Sequence, residues 1–411
     1  MDDAYTTLRA GIAAAVMLLI SATPPAGAVE IDVGGQVATL PPIGDHWLFV
    51  PDRLFQHSAL FDGDTGQMLG SIPSPGAITP KLPLTSRKRN EFYSVDVDYS
   101  RGVRGTRTDY VTVYDAETLA VEADIDLPSP VSSSNTSQHH TTLLDDDRFM
   151  VVFSQFPDTL AMVVDLDERS VASSAPIAGC AGVYATGPRS FATLCGDGTT
   201  VRVDLAEDGT VVGTTRSPGF FDVVEDPVSM AGVRSGSRWL FVSFLGAVHT
   251  VEYGGDAPAP QAAWFLGNDS EREDGWRPGG LQPHALHVAS NRLFVLMQAG
   301  HPGSHKDASP EIWSFDVGTE SRIARFDVPN LSIDFLGPMM GIESGTFGHT
   351  LLGLVVPNGG AHSITVTQDE TPVLFTRNAE MGAIGVVDPD SGEHIRSVVE
   401  AGLTGPALGV P

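Results

Sequence analysis

Short apolar runs, each closed by an acidic residue and a polar turn, recur along this chain. Residues 314–326 read SFDVGTESRIARF and residues 386–398 read VVDPDSGEHIRSV. The form repeats as FDGDTGQMLGSI (61–72), VYDAETLAVEADI (113–125), VVDLDERSV (163–171) and VRVDLAEDGTV (201–211), with a weaker copy, HTVEYGGDAPA, from 249. Each unit reads as a β-hairpin. An Asp at the first turn position accepts nearby backbone N–H groups, and Gly or a small polar residue takes the awkward dihedrals. The anchors are Asp62, Asp115, Asp165, Asp204, Glu252, Asp316 and Asp388. Their number divides the chain into units of about 55 residues, the size of a four-stranded propeller blade. The pattern predicts an all-β fold: a seven-bladed β-propeller with four antiparallel strands per blade, over residues 29–411. A pair of β-sandwiches is the alternative, but no linker-like break divides the chain. Two long gaps hold GNDSEREDGWRPGG (267–280) and a Gly-rich stretch from Leu336 to Gly360, which read as inserted loops.

Composition agrees with many short strands. The chain has 411 residues, with 44 Gly and 29 Pro against only 18% charged residues. Its 24 basic and 51 acidic side chains give a net charge of −27. That excludes nucleic acid and anionic membrane surfaces as expected partners, since both call for Lys/Arg clusters. At the N-terminus, Arg9 precedes the uncharged run AGIAAAVMLLISA (10–22), and Ala26-Gly27-Ala28 forms a small-x-small cleavage site. Residues 1–28 therefore read as a secretory signal peptide. The run is too short to cross a bilayer core of about 30 Å. An exported, soluble protein is expected.

The two cysteines fit that reading. Cys180 and Cys195 flank AGVYATGPRSFATL, and a hairpin folded at Gly187-Pro188 sets them opposite each other. A structural disulfide is expected. A redox pair lacks its C-x-x-C, and two thiolates alone do not fill a zinc site.

Signatures of catalysis are scarce. The chain has no G-x-S-x-G, H-E-x-x-H, P-loop or C-x-x-C-H motif. Asp145-Asp146-Asp147 and Asp165-Leu166-Asp167 do not continue as calcium loops and read as solvated turns. His139-His140 and the pair His284 and His287 point to opposite faces if they lie on strands. His301 and His305 straddle a Gly-containing loop. No metal site is expected. Trp276 and Arg277 in DGWRPGG either dock a partner or belong to a rigid loop entering a blade.

Four stretches carry a further resemblance: RGVRGTRTDYVTVYDAETL (101–119), GCAGVYATGPRSFATLCGDG (179–198), DGWRPGG (274–280) and GSHKDASPEIWSFD (303–316). Together they resemble the heavy subunit of quinone-dependent amine dehydrogenases, the family of methylamine and aromatic amine dehydrogenases. PRSFATLCGDG and HKDASPEIW look closer to the aromatic amine branch. The resemblance implies a seven-bladed propeller in a periplasmic heterotetramer of two heavy and two light subunits. The light subunit would carry tryptophan tryptophylquinone and the catalytic base, leaving this chain with no cofactor and no catalytic residue. A primary amine would become an aldehyde and ammonia, with electrons passing to a blue copper protein of the amicyanin or azurin type. Phe55, in VPDRLFQHSALFDGDTG (50–66), matches a family Phe at the substrate channel and is expected to gate it. By residue type alone a Phe beside a strand is ordinarily core. His305 and Lys306, with Trp276 and Arg277, are expected to hold loops or touch the light subunit. The stretch from Asn330 to Ala361 looks longer than in the family, and residues 129–142 match it poorly. Two other readings stand beside this one: a stand-alone periplasmic propeller that binds a partner without redox work, and a propeller hydrolase with a metal in its central channel.

Overall fold

The computed structural model describes residues 39–74, 82–132, 137–343, 345–399, 401 and 408–410. The signal peptide expected over residues 1–28 lies outside the described residues. Seven antiparallel sheets follow one another along the chain. Blade 1 comprises Trp47–Asp52, His57–Asp62 and Met68–Pro73. Blade 2 comprises Leu84–Ser86, Glu91–Tyr99, Arg107–Asp115 and Val121–Asp126, and blade 3 Thr141–Leu143, Phe149–Ser154, Leu160–Asp165 and Ser170–Pro176. Blade 4 comprises Cys180–Gly187, Ser190–Cys195, Thr200–Leu205 and Val211–Arg216. Blade 5 comprises Val233–Ser235, Arg238–Val242, Ala247–Glu252 and a broken outer strand. Blade 6 has a broken inner strand, Trp276–Pro278 and His284–His287, then Arg292–Ala299, Glu311–Asp316 and Ser321–Asp327. Blade 7 comprises Ser363–Val366, Leu374–Arg377, Ala383–Val387 and His394–Val399.

The ring closes through its C-terminus. Gly409 pairs antiparallel with Phe49 and so supplies the inner strand that blade 1 lacks. Gln282 holds this closing segment: its side-chain amide donates to Leu408 O (2.9 Å), and its Oε1 accepts from Leu408 N (3.1 Å). Burial follows the architecture. Middle strands such as Trp47–Asp52 and Phe149–Ser154 are buried on both faces, while the outermost strands are largely exposed, with a single buried position near the end. The buried apolar side chains form seven clusters, one at each seam between neighbouring blades. Leu48, Val50, Phe375 and Ile384 fill the closing seam between blades 7 and 1.

All seven acidic anchors fall at the end of the third strand of their blades. Asp62 accepts from Asp64 N (2.8 Å), Asp115 from Thr118 N (2.8 Å), Asp165 from Asp167 N (2.9 Å), Asp316 from Thr319 N (2.7 Å) and Asp388 from Ser391 N (2.7 Å). Four residues after each of these acids comes a left-handed residue: Gly66 (φ 75°), Leu119 (55°), Arg169 (50°), Glu320 (54°) and Gly392 (75°). The register slips at the same place, which is the geometry of a type I turn closed by a bulge. Asp316 of the opening repeat is thus a turn residue. Asp204 and Glu252 hold the same position with other partners, Arg202 Nε (3.0 Å) and Gly254 N (2.8 Å).

The two inserted loops are in fact helical in part. Asp269–Glu273 is a short helix closed by a capping box between Asn268 and Glu271. Leu331–Met339 and Phe347–Val355 form a helical hairpin between blades 6 and 7. Its many glycines hide the helical pattern in sequence. The turn is built instead by Thr346, whose hydroxyl caps His349 N (3.3 Å), and by burial of Leu331 and Leu352.

Candidate functional site

In an antiparallel four-stranded blade, successive connections alternate between the two ends. The turns between second and third strands therefore share one face of the ring with the links between blades. Phe55 sits on that face, in the blade 1 turn between Trp47–Asp52 and His57–Asp62. It is not core: its side chain is 68% exposed, and Leu54 beside it 61%. The backbone beneath is fixed. Asp52, wholly buried, accepts from Leu54 N (2.7 Å) and Phe55 N (3.0 Å). Arg377, equally buried at the end of the second strand of blade 7, donates to Pro51 O (3.1 Å). Burial pulls the Arg377 guanidinium down to about 10, against the opposing pull of the Asp52 charge. A charged strut across the closing seam thus presents an apolar tip to solvent.

Other exposed apolar side chains gather on the same face. Val103 and Phe156 crown the corresponding turns of blades 2 and 3, Leu245 that of blade 5, and Val223 and Val224 lie in the link between blades 4 and 5. The opposite face carries the acidic anchors. There, His46 bridges blades 1 and 7 by hydrogen bonds to Asp64 (2.8 Å) and Asp369 (3.2 Å). A depression of about 630 Å³ opens beside them, lined by Asp45, Arg87, Asp369 and Glu370 among others. Several of its polar groups are already engaged: Arg87 pairs with Asp45 (3.1 Å), and Asp369 with His46 and Thr371 (2.9 Å).

Cys180 and Cys195 are bonded, directly opposed in the hairpin register with Cα atoms 3.8 Å apart. Trp276 is part of blade 6, its ring tilted against Trp313 with centroids 5.2 Å apart and covered by the Arg325 guanidinium at 4.2 Å. Arg277 donates to Gly275 O (3.0 Å), just before its strand. His305 lies on the Phe55 face, its ring stacked 3.9 Å from Phe244 of blade 5 and its carbonyl accepting from Gly280 N (3.1 Å). Burial, helped by the neighbouring Lys306 charge, holds its imidazole below the usual range. Lys306 itself is exposed. His139 is packed between Tyr184 (4.7 Å) and Trp239 (5.4 Å), and burial draws it down to about 4. His287 bonds Ser290 Oγ (2.7 Å) and Asp369 O (3.1 Å) on the acidic face. Among the described residues, no three His, Cys, Asp or Glu side chains are grouped so as to hold a metal ion. Residues 303–320 are therefore architecture, except for the exposed Lys306. Sequence reasoning missed the Asp52–Arg377 strut. An Arg ending the run LFTR reads as a solvent-facing strand end, and its partner lies more than 300 residues away.

These features define a closed seven-bladed propeller with several exposed apolar turns on one face and its seven acidic anchors on the other. The family described as methylamine dehydrogenase heavy chain (MADH) matches residues 53–336. The chain belongs to that family. Methylamine dehydrogenase heavy chain of Paracoccus versutus is 27% identical over 344 residues, covering 84% of this chain and 73% of that one. The same protein of Methylorubrum extorquens is 26% identical, with 96% and 91% covered. A functionally unknown protein from Desulfotomaculum acetoxidans shares the fold, with a TM-score of 0.57, 15% identity, and 89% and 99% of the two chains covered. The chain is accordingly a heavy subunit of an amine dehydrogenase. Its lean toward the aromatic branch finds no support among these relatives.

Proposed function

We propose that this chain is the non-cofactor subunit of a periplasmic, tryptophan tryptophylquinone-dependent amine dehydrogenase. In this reading two heavy and two light subunits assemble, and the light subunit supplies quinone and base. A primary amine is oxidised to aldehyde and ammonia, and electrons leave to a blue copper protein of the amicyanin or azurin type. The observation that carries the reading is Phe55, an exposed apolar tip on a clamped turn within the face that gathers exposed apolar side chains. An exposed Phe on a rigid turn suits a channel wall that a second chain completes. The quinone itself fits a partner better than this chain. Trp313 is fully buried and Trp276 lies under Arg325, so the closest tryptophan pair here is committed to blade 6. The Cys180–Cys195 bond suits an oxidising compartment and supports export. Lys306, exposed on the Phe55 face, is the side chain among the four suggested contacts best placed to meet the light subunit.

The test is co-purification of this chain with a short, cysteine-rich secreted protein encoded beside it, followed by a visible spectrum. A quinone band and amine turnover in the complex are expected. A stoichiometric complex without quinone, or none with amine activity, overturns the reading. Within the active complex, Phe55→Ala is expected to change the preference between small and bulky amines while leaving the melting temperature in place. Identical relative rates across the series remove Phe55 from the gate.

A further inference from the structure

We propose that His139 and His284 form an acid-sensitive plug in the central channel of the ring. The first strand of each blade lines that channel. His139 lies in the short helical turn Gln138–His140, which leads into the first strand of blade 3. Its ring packs on Tyr184, midway along the first strand of blade 4, and its Nε2 donates to Gly232 O (2.8 Å), at the start of blade 5. A side chain from blade 3 that reaches blade 5 past the middle of that strand lies within the channel. His284, on the first strand of blade 6, comes from the other side and meets the backbone of Ala231, the residue beside Gly232. Blades 3 and 6 thus meet blade 5 through two imidazoles on one dipeptide. Within the turn, His139 N donates to Ser137 Oγ (3.3 Å) and His140 N to Ser137 O (3.1 Å).

The cage around the two rings makes the plug sensitive to protons. His139 is flanked by Tyr184 (4.7 Å) and Trp239 (5.4 Å). His284 is 1% exposed, with neither ring nitrogen in a hydrogen bond of ordinary geometry. Such surroundings accept a neutral imidazole and penalise an imidazolium. Burial draws His139 down to about 4, and burial with the nearby His139 draws His284 down to about 3. The other titratable groups on the packed elements bring no counter-charge. The Tyr184 hydroxyl, pushed up by burial, donates to Met230 O (2.9 Å). Arg234, Arg238 and Arg292 face Asp145, Glu252 and Asp390, and Asp226 accepts from Ser243 Oγ (2.7 Å). His140 packs on Phe153 (5.4 Å), and His287 is bound to Ser290 and Asp369 on the acidic face. Among the described residues, no carboxylate acts on either imidazole of the plug. The closed state therefore loses stability as pH falls below the ordinary histidine value of 6.5. An opened turn returns both rings to that value, so between about pH 7.5 and about pH 5 opening becomes roughly thirtyfold more favourable per ring. Protonation releases the turn and opens the axial passage. The plug belongs to this chain alone and stands whether or not a light subunit docks at Phe55.

Native-state hydrogen exchange of the purified full chain at about pH 7.5 and about pH 5, corrected for intrinsic rates, tests it. Protection of residues 137–143 and 228–233 is expected to fall at least about thirtyfold at the lower pH, while Phe149–Ser154 stays protected. His139→Gln/His284→Leu keeps a donor for Gly232 O and carries no titrating ring, so its protection there is expected to be equal at both values. Should that variant fail to fold, His284→Leu alone is expected to cut the wild-type acid response about tenfold or more. Wild-type protection unchanged by acid overturns the proposal. So does a loss shared equally by all the blades, or one that the variants retain in full.

Discussion

Replacing Arg377 by Met removes the guanidinium from the closing seam while keeping much of its volume. Arg377 and Asp52 are both completely shielded from solvent, and the carboxylate also accepts two backbone N–H groups of the Phe55 turn. Without the cation, the Asp52 carboxyl stays buried with only dipoles to stabilise it. Breaking one partner of a buried pair costs about 3–5 kcal/mol. For a chain of this size that lowers the melting temperature by about 4–6 °C. The assay is paired thermal and denaturant unfolding of wild type, Arg377→Met, Asp52→Asn and the double variant. If the cost comes from the stranded charge, the double variant is more stable than Arg377→Met alone, and the two substitutions couple by at least ~1 kcal/mol. A loss below about 1 kcal/mol for Arg377→Met, or strict additivity, refutes the strut. A strut that positions Phe55 also predicts that Arg377→Met, in the assembled enzyme, shifts amine preference in the same direction as Phe55→Ala.

Three further outcomes follow from the fold. Cys180→Ser/Cys195→Ser, which opens a loop with a sequence separation of 15, is expected to lose about 3 kcal/mol in denaturant unfolding; no loss contradicts a structural role. Glu320→Gly relieves a left-handed φ of 54° in the blade 6 turn and is expected to stabilise by up to about 1 kcal/mol; destabilisation contradicts the turn assignment. Burial alone would lower the His46 pKa, but hydrogen bonds and charge from Asp64 and Asp369 outweigh it and raise the pKa above its ordinary value. The charged clasp between blades 1 and 7 is therefore fully present below about pH 6.5 and fades as pH rises through the folded pKa. The gap in melting temperature between wild type and His46→Gln is expected to be larger at acidic than at alkaline pH, and a gap that widens with pH contradicts the sign.

What the sequence disclosed was local chemistry. An Asp followed four residues later by a left-handed position builds the same turn wherever it occurs, so Asp62, Asp115, Asp165, Asp316 and Asp388 marked their blades correctly. The cysteine pairing was legible for the same reason, because a hairpin register follows from its turn. Pairings between distant segments were not legible. Nothing around Gln282 or Gly409 signals that they meet to close the ring, and nothing in LFTR signals Asp52. The hairpin of residues 331–355 was obscured by its glycines, because its helices rest on a cap and on packing rather than on propensity. Phe55 shows the limit most clearly. Its type says core, its environment says surface, and only the fold distinguishes them.

The claim on which the functional account rests is that this ring shapes a redox centre borne by another chain. Separate expression of the two subunits, assayed for amine-dependent dye reduction alone and after mixing, tests it most directly. The account predicts no turnover and no quinone absorbance from this chain alone, with turnover on adding the light subunit. Amine oxidation by the isolated chain contradicts it.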